Sequence, residues 1–348
     1  MTHKEVREVF FKFFISNNHV KVESSSLIPD DPSVLLTTAG MQQFKPYYTG
    51  ELNALNDFGS LNTVLIQKSF RTSDIDEVGD DTHSTFFEMM GNFSFGGYEK
   101  KLAIELAYTF LSKNLNLKEK ISFVSIFEGL DNVGVPKDVE SKKIWGEIDS
   151  KLDVREESIE DVFWGPTGSS GPCGPTTEIY CRDILNRNIE NWNIVFNQYY
   201  FDGSRDELIS GISNKKLEQL KKFGVDTGMG LERLMMILSN VESIYETDLF
   251  LPILEFIPND MTIKTRRIIA DHSRAIVFLL GDGVLPSNKG AGYILRRLMR
   301  RIIAHYFLYA KQNKNFNDKD ITKPFEAVIN NYGEIYKELK NENIIPLF

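Results

Sequence analysis

The passage Asp226-Thr227-Gly228-Met229-Gly230-Leu231-Glu232-Arg233 sets residue types that bind opposite charges a short distance apart. A carboxylate at one end can hold an ammonium. A guanidinium at the other can stack on a flat ring or meet a phosphate. The glycines between them lack a Cβ, so a ligand can come close to the backbone. An amino acid and a nucleotide bound side by side would need that set of groups. The plainer reading is a glycine-rich turn that opens an amphipathic helix: Phe223-Gly224-Val225 precedes it as a short strand, and Leu234-Met235-Met236-Ile237-Leu238 follows as an apolar helical run. A dinucleotide fingerprint fits poorly, since Arg233 stands where G-x-G-x-x-G needs its third glycine.

Three further segments carry candidate chemistry. Gln67–Arg71 ends a strand, and His83–Gly96 opens another after a polar loop. Paired as an antiparallel hairpin across a nucleotide, they would offer Arg71 to a phosphate, Phe87 to a base and Glu88 to an exocyclic amine, with His83 nearby. The plainer reading is an aromatic core hairpin, with Phe86, Phe93 and Phe95 inside. On the strand-like run Trp192–Gln198, alternation points Asn193, Val195 and Asn197 to one face, a pocket floor suited to a small side chain. Between Trp164 and Glu178 the glycines and prolines predict an ordered but irregular loop. It holds no G-x-S-x-G, and Cys173 has no evident base partner, so packing is its expected role.

These groups need elements to position them. Thr2 and Glu5 form a capping box ahead of a helix with Val6, Val9, Phe10, Phe13 and Phe14 on one face. Strands are predicted at 63–70, 85–90, 121–127, 178–182 and 192–201, and a helix at 102–111 with Leu102, Leu106 and Phe110 inward. Hairpin-like links outnumber helical crossovers. The fold class is therefore α+β, an antiparallel sheet with helices packed around it. After Ser243 the pattern turns helical almost throughout, giving domains at 1–243 and 244–348. In 293–307, the apolar pairs Ile294/Leu295, Leu298/Met299, Ile302/Ile303 and Tyr306/Phe307 predict a buried stripe. They alternate with an arginine ridge at Arg296, Arg297, Arg300 and Arg301.

The chain has 348 residues, 42% hydrophobic and 26% charged, as expected of an ordinary soluble protein. No apolar run reaches the length of a membrane span, and no secretory leader opens the sequence, so a cytoplasmic setting is expected. Two cysteines are too few for a disulfide framework or a zinc site. A P-loop is absent. Net charge is −9, which argues against indiscriminate nucleic-acid binding. Yet 264–301 holds nine Lys/Arg against two acids, a local surface for one docked polyanion.

Together these residues resemble the catalytic part of the alanyl-tRNA synthetases, of the class II aminoacyl-tRNA synthetases, from the N-terminal helix to about Phe307. Asp226–Arg233 is similar to the third class II motif, Phe86–Gly96 to the second and Thr38-Ala39-Gly40-Met41 to the first. Gly171-Pro172-Cys173-Gly174-Pro175, Trp192-Asn193, Ile269-Ala270-Asp271-His272, Pro286-Ser287-Asn288 and Gly292–Arg297 complete the series. The resemblance implies a class II sheet followed by a helical tRNA-recognition region. It also implies activation of L-alanine by ATP with Mg²⁺, then transfer to the terminal adenosine of tRNA(Ala). Carried over to these positions, Arg71 and Arg233 are the catalytic cations. Arg71, His83, Phe87, Glu88, Gly230 and Arg233 hold ATP. Arg71, Trp164, Asn193, Val195, Asp226 and Gly228 hold alanine. Asn288, Arg296, Arg297, Arg300 and Arg301 meet the tRNA acceptor stem, and Glu178 is the candidate Mg²⁺ ligand.

Departures from the family pattern are a shorter, more acidic loop at Thr72–Gly79 and Lys289-Gly290-Ala291 in place of a stretch with an arginine. The sequence ends before the family's editing and C-terminal regions, so the expectation is no editing in cis, with a separate editing protein or second chain as partner. Two other readings stand beside this one: a paralogue that adenylates a small amino acid for a non-tRNA acceptor, and a tRNA-docking protein without catalysis.

Overall fold

The computed structural model describes residues 1–130, 133–210, 215–313, 317–342 and 344–347. A nine-stranded sheet forms its centre: β1 (Val20–Lys21), β2 (Asn62–Phe70), β3 (Phe86–Phe95), β4 (Ile121–Phe127), β5 (Val154–Glu157), β6 (Phe163–Trp164), β7 (Gly171–Arg182), β8 (Asn188–Phe201) and β9 (Glu218–Gly230). The order is β1-β2-β3-β9-β8-β7-β4-β5, with β6 paired to β7. Pairing is antiparallel except for β1 with β2 and β4 with β5, near the two edges. The expected α+β class and the antiparallel centre are present.

The helix His3–Ser16 starts as its sequence directs, with both halves of the Thr2/Glu5 capping box made and Val6, Phe10 and Phe14 buried. Phe10, Phe14 and Phe110 gather around Trp192 of β8, with ring centroids 5.7–6.4 Å from the indole. Each such side chain contributes about 1.5–3 kcal/mol by leaving water. Beyond Ser243 the described residues form helices and turns, chiefly Ile263–Gly281, Gly290–Gln312 and Lys323–Tyr332. Phe278, Val328 and Tyr332 of that half share one core cluster with Val6 and Phe10 of the first half.

Three expectations need correction. The glycine- and proline-rich segment is not a loop throughout, because Gly171–Thr177 belongs to β7. The strand tolerates two prolines because the register shifts between Cys173 and Thr176, and around the prolines its other side meets the two-residue β6, with β4 joining from Thr177 on. Gly174 is required there, since a Cβ would lie 1.9 Å from the Phe196 carbonyl oxygen. In the helix Lys100–Thr109, Leu102 is exposed, and Ala103, Ile104, Leu106 and Ala107 face inward. Along Gly290–Gln312, Ile294, Leu295, Leu298, Met299, Ile302 and Tyr306 are buried, but Ile303 and Phe307 lie in solvent. A four-residue step overshoots the 3.6-residue turn by about 40°, so the pairs drift round the helix until the later member of the last two rotates off the core.

Candidate active site

Strands β3, β9, β8 and β7 form the floor of a cleft of about 270 Å³. Alternation along β8 and β9 sends Asn193, Val195, Asp226 and Gly228 to the same face, and cross-strand pairing sets Val195 beside Asp226 and Asn193 beside Gly228. The strand phase expected for β8 is therefore the one observed. A Cβ at Gly228 would meet Met89 Sδ at 2.9 Å, so bare backbone keeps the floor open there. Asp226 is buried with no cation paired to it among the described residues, and burial pushes its carboxyl up to about 7. An ammonium brought into the cleft would restore the charge balance that burial upsets.

Arg71 and Arg233 line the same cleft as Asp226. The Arg71 backbone N–H donates to Thr85 O at 2.9 Å, and Thr85 is in turn held by Asp271, which accepts from its N–H at 2.9 Å and its hydroxyl at 2.6 Å. The Ile263–Gly281 helix thus fixes where β2 ends. The Arg71 guanidinium sits 5.0 Å from the centroid of the Phe87 ring. Burial lowers its pKa, Asp74 and Glu190 oppose that effect, and Arg233 adds to it, so the two guanidiniums feel one another across the cleft. Arg233 donates to the Glu190 carboxylate at 3.3 Å and to the Glu190 carbonyl at 3.4 Å. His83, Phe87, Gly230 and Trp164 also line the cleft, and His83 Nδ1 lies 2.5 Å from the Asp80 carboxylate. Cys173 is buried, its thiol pushed up to about 12, consistent with packing.

Glu88 does not join this group. It accepts from Arg7 at 2.5 Å and from the Tyr336 hydroxyl at 2.5 Å, fully buried on the opposite face of β3. Adjacent strand residues point to opposite faces, so once Phe87 faces the cleft, Glu88 cannot. Glu178 does line the cleft, but its Oε1 accepts from Asn193 Nδ2 at 2.6 Å and its Oε2 from the Tyr180 hydroxyl at 2.8 Å. Each oxygen of this candidate Mg²⁺ ligand thus already accepts one hydrogen bond, one from β8 and one from its own strand. Among the described residues no three His, Cys, Asp or Glu side chains are grouped to hold a metal. Nor is any described helix long and apolar enough to cross a membrane.

The arginine ridge lies apart from the cleft and divides in two. Arg297 and Arg301 both donate to Asp76, in the loop that follows Arg71, while Arg296 donates to Asn288 Oδ1 and Arg300 is exposed. Several cleft residues were not foreseen. Arg205 donates to the backbone carbonyls of Phe163 and Glu160, fixing the strand that carries Trp164. Glu190 reaches the cleft because the register between β7 and β8 shifts at Asn191, which alternation alone does not reveal.

The family model described as "tRNA synthetases class II (A)" matches residues 5–345. An alanine–tRNA ligase of Rubrobacter xylanophilus is 41% identical over 337 residues, 86% of this chain and 36% of that protein. One from Borrelia hermsii is 40% identical over 365 residues, 96% of this chain and 58% of that protein. A solved histidyl-tRNA synthetase of S. aureus shares 11% identity at a TM-score of 0.43, over 68% of this chain and 65% of that one. This chain therefore spans 36–58% of the length of the two ligases.

Proposed function

The chain belongs to the class II (A) tRNA synthetases, and on that premise we propose that it carries the aminoacylation chemistry of an alanine–tRNA ligase. Residues 1–243 activate L-alanine with ATP, and residues 244–348 take part in recognising tRNA(Ala). One observation carries this reading: Asp226, Arg71 and Arg233, far apart in sequence, converge on one cleft with Gly228, Asn193 and Val195 as its floor.

In the first step an oxygen of the alanine carboxylate attacks the α-phosphorus of ATP. A P–O bond forms to alanine, the bond to the β-phosphate oxygen breaks, and pyrophosphate leaves. Both reactants are anions, so the protein's work is to neutralise and align them. Alignment in a near-attack geometry supplies roughly 7–11 kcal/mol of barrier reduction. Arg71 neutralises the carboxylate and α-phosphate where they meet, and Phe87 and Arg233 hold adenine between them. Asp226 holds the ammonium over Gly228, and Val195 limits the side chain to about a methyl group. In the second step a ribose hydroxyl of the terminal adenosine attacks the alanyl carbonyl and AMP leaves.

Mg²⁺ fits this cleft, since such an ion needs only one or two carboxylates besides phosphate oxygens. Of the carboxylates that line the cleft, Asp74 and Glu190 are the ones that would hold it. It would spread the negative charge that builds on the phosphates.

Alanine-dependent exchange of pyrophosphate into ATP, followed by a tRNA(Ala) charging assay, tests the reading. Exchange and charging are expected, and both should be lost in Asp226→Ala. Exchange without charging would favour a non-tRNA acceptor, and binding of tRNA without exchange a docking role.

A further inference from the structure

Across the sheet, Glu178 of β7, Asn193 of β8 and Gly228 of β9 stand side by side in one row. The amide of Asn193 lies between the other two. Its Nδ2 donates to Glu178 Oε1 at 2.6 Å, and its Oδ1 is buried with no partner among the described residues. An amide is planar, so its two heteroatoms point to opposite sides. With the nitrogen committed to β7, the oxygen is left for the β9 side, where the paired residue, Gly228, has no side chain. Asp226 lies two residues away along the same strand and face. Tyr180 completes the arrangement from the other end, since its hydroxyl donates to the second oxygen of Glu178 at 2.8 Å and holds the carboxyl in place.

We propose that Glu178 is a positioning residue of the amino-acid pocket. By accepting from the Asn193 amide nitrogen, it turns the amide oxygen toward Gly228 to accept an N–H of the substrate's ammonium, beside Asp226. An ammonium has three protons to place. Asp226 meets it from one side of the Gly228 gap and Asn193 Oδ1 from the other, so the cation is held at two fixed points. A buried carbonyl oxygen without a donor is costly, and a ligand N–H removes that cost. Freed from Glu178, the amide can rotate and present its NH₂ group, which would repel the ammonium. This assignment rests on the alanine-activating reading above and gives Glu178 a task that does not involve the metal.

The test uses alanine-dependent ATP–pyrophosphate exchange in the full chain with Glu178→Met, Glu178→Gln, Asn193→Ala and the Glu178→Met/Asn193→Ala double variant. Glu178→Met should raise KM for alanine about tenfold, the scale of one lost charge-assisted hydrogen bond, leaving KM for ATP and the Mg²⁺ dependence unchanged. The near-isosteric Glu178→Gln can still accept from Asn193 through its amide oxygen and should stay within about twofold of wild type in KM for alanine. The double variant should match Asn193→Ala alone, because the two residues act through one contact. Altered ATP or Mg²⁺ dependence, additive losses, or an equal defect in Glu178→Gln would each overturn the assignment. If Glu178→Met fails to fold, Asn193→Ala decides, since an unchanged KM for alanine there would overturn the assignment. Absence of exchange in the wild-type chain would overturn the alanine reading and this inference with it; exchange with an unchanged alanine KM in Glu178→Met would overturn the inference alone.

Discussion

Arg297 donates to both carboxylate oxygens of Asp76, at 2.8 and 3.0 Å, and Arg301 adds a bond to one of them at 2.9 Å. An acid from the loop after Arg71 thus occupies two guanidiniums of the ridge that would otherwise face a phosphate. The guanidiniums in turn hold the Asp76 carboxyl below the usual carboxylate range, chiefly through their hydrogen bonds. Asp76→Asn should release them. Affinity for tRNA at low salt should rise, and the slope of log K against log salt should steepen by about 0.7–0.9 for each phosphate gained. Binding measured from low to moderate salt checks this. A slope equal to that of wild type would mean that this pair never meets the RNA backbone.

Arg71→Ala is expected to damage rate and spare the fold. Arg71 is held by its backbone bond to Thr85, which survives the substitution, and Arg233 disfavours its charge. Loss of one preorganised charge at the developing transition state typically costs about 10²–10³ in rate. Exchange kinetics and thermal unfolding, measured on the same preparation, separate the two effects. A Tm that falls with the rate would reassign Arg71 to structure.

The candidate site was legible in sequence where its residues share a strand. Asn193 and Val195 follow from alternation, and Asp226 with Gly228 from the glycine-spaced acid. Glu88 was misplaced although the same alternation excludes it: Phe87 and Glu88 are neighbours on one strand and cannot both face a ligand. Glu190 was invisible because a register shift at Asn191 decides its direction, and such a shift depends on the partner strand. The contact of Asp76 with Arg297 joins segments 221 residues apart, and the bond of Thr85 to Asp271 segments 186 apart. No local pattern encodes either. Ile303 and Phe307 were assigned to the core by a four-residue rule that the helix itself does not keep.

Glu88 accordingly yields a prediction about stability rather than nucleotide binding. It joins Arg7 of the first helix to Tyr336 near the end of the chain, with no exposure to water. Glu88→Gln leaves the Arg7 charge buried without its counter-ion, a change that costs about 3–5 kcal/mol. The urea midpoint should fall accordingly, while KM for ATP in the folded fraction stays at the wild-type value. A selective rise in KM for ATP with the midpoint intact would restore Glu88 to the nucleotide site.

If Asp226 holds the substrate's ammonium as proposed, it links pH to both stability and substrate binding, with opposite signs. Burial raises its folded-state pKa to about 7, above the unfolded value near 3.9. Its folded form therefore favours the proton. The penalty for holding the bare charge is absent below about pH 4, grows between pH 4 and 7, and is complete above pH 7. At full size it is on the order of 4 kcal/mol in the ligand-free protein. Asp226→Asn removes the penalty, so its Tm should exceed that of wild type at pH 8, and the gap should close as pH falls toward 4. Binding runs the other way. The ammonium of alanine needs the carboxylate, and below about pH 7 a rising share of the protein carries the proton instead. Affinity for alanine should then fall toward tenfold per pH unit, while above pH 7 it should level off. Calorimetric titration of alanine from pH 5.5 to 8, with thermal unfolding of both proteins over the same range, reads the two effects together. A flat alanine affinity across that range would show that Asp226 is ionised throughout, with a cation partner other than the substrate.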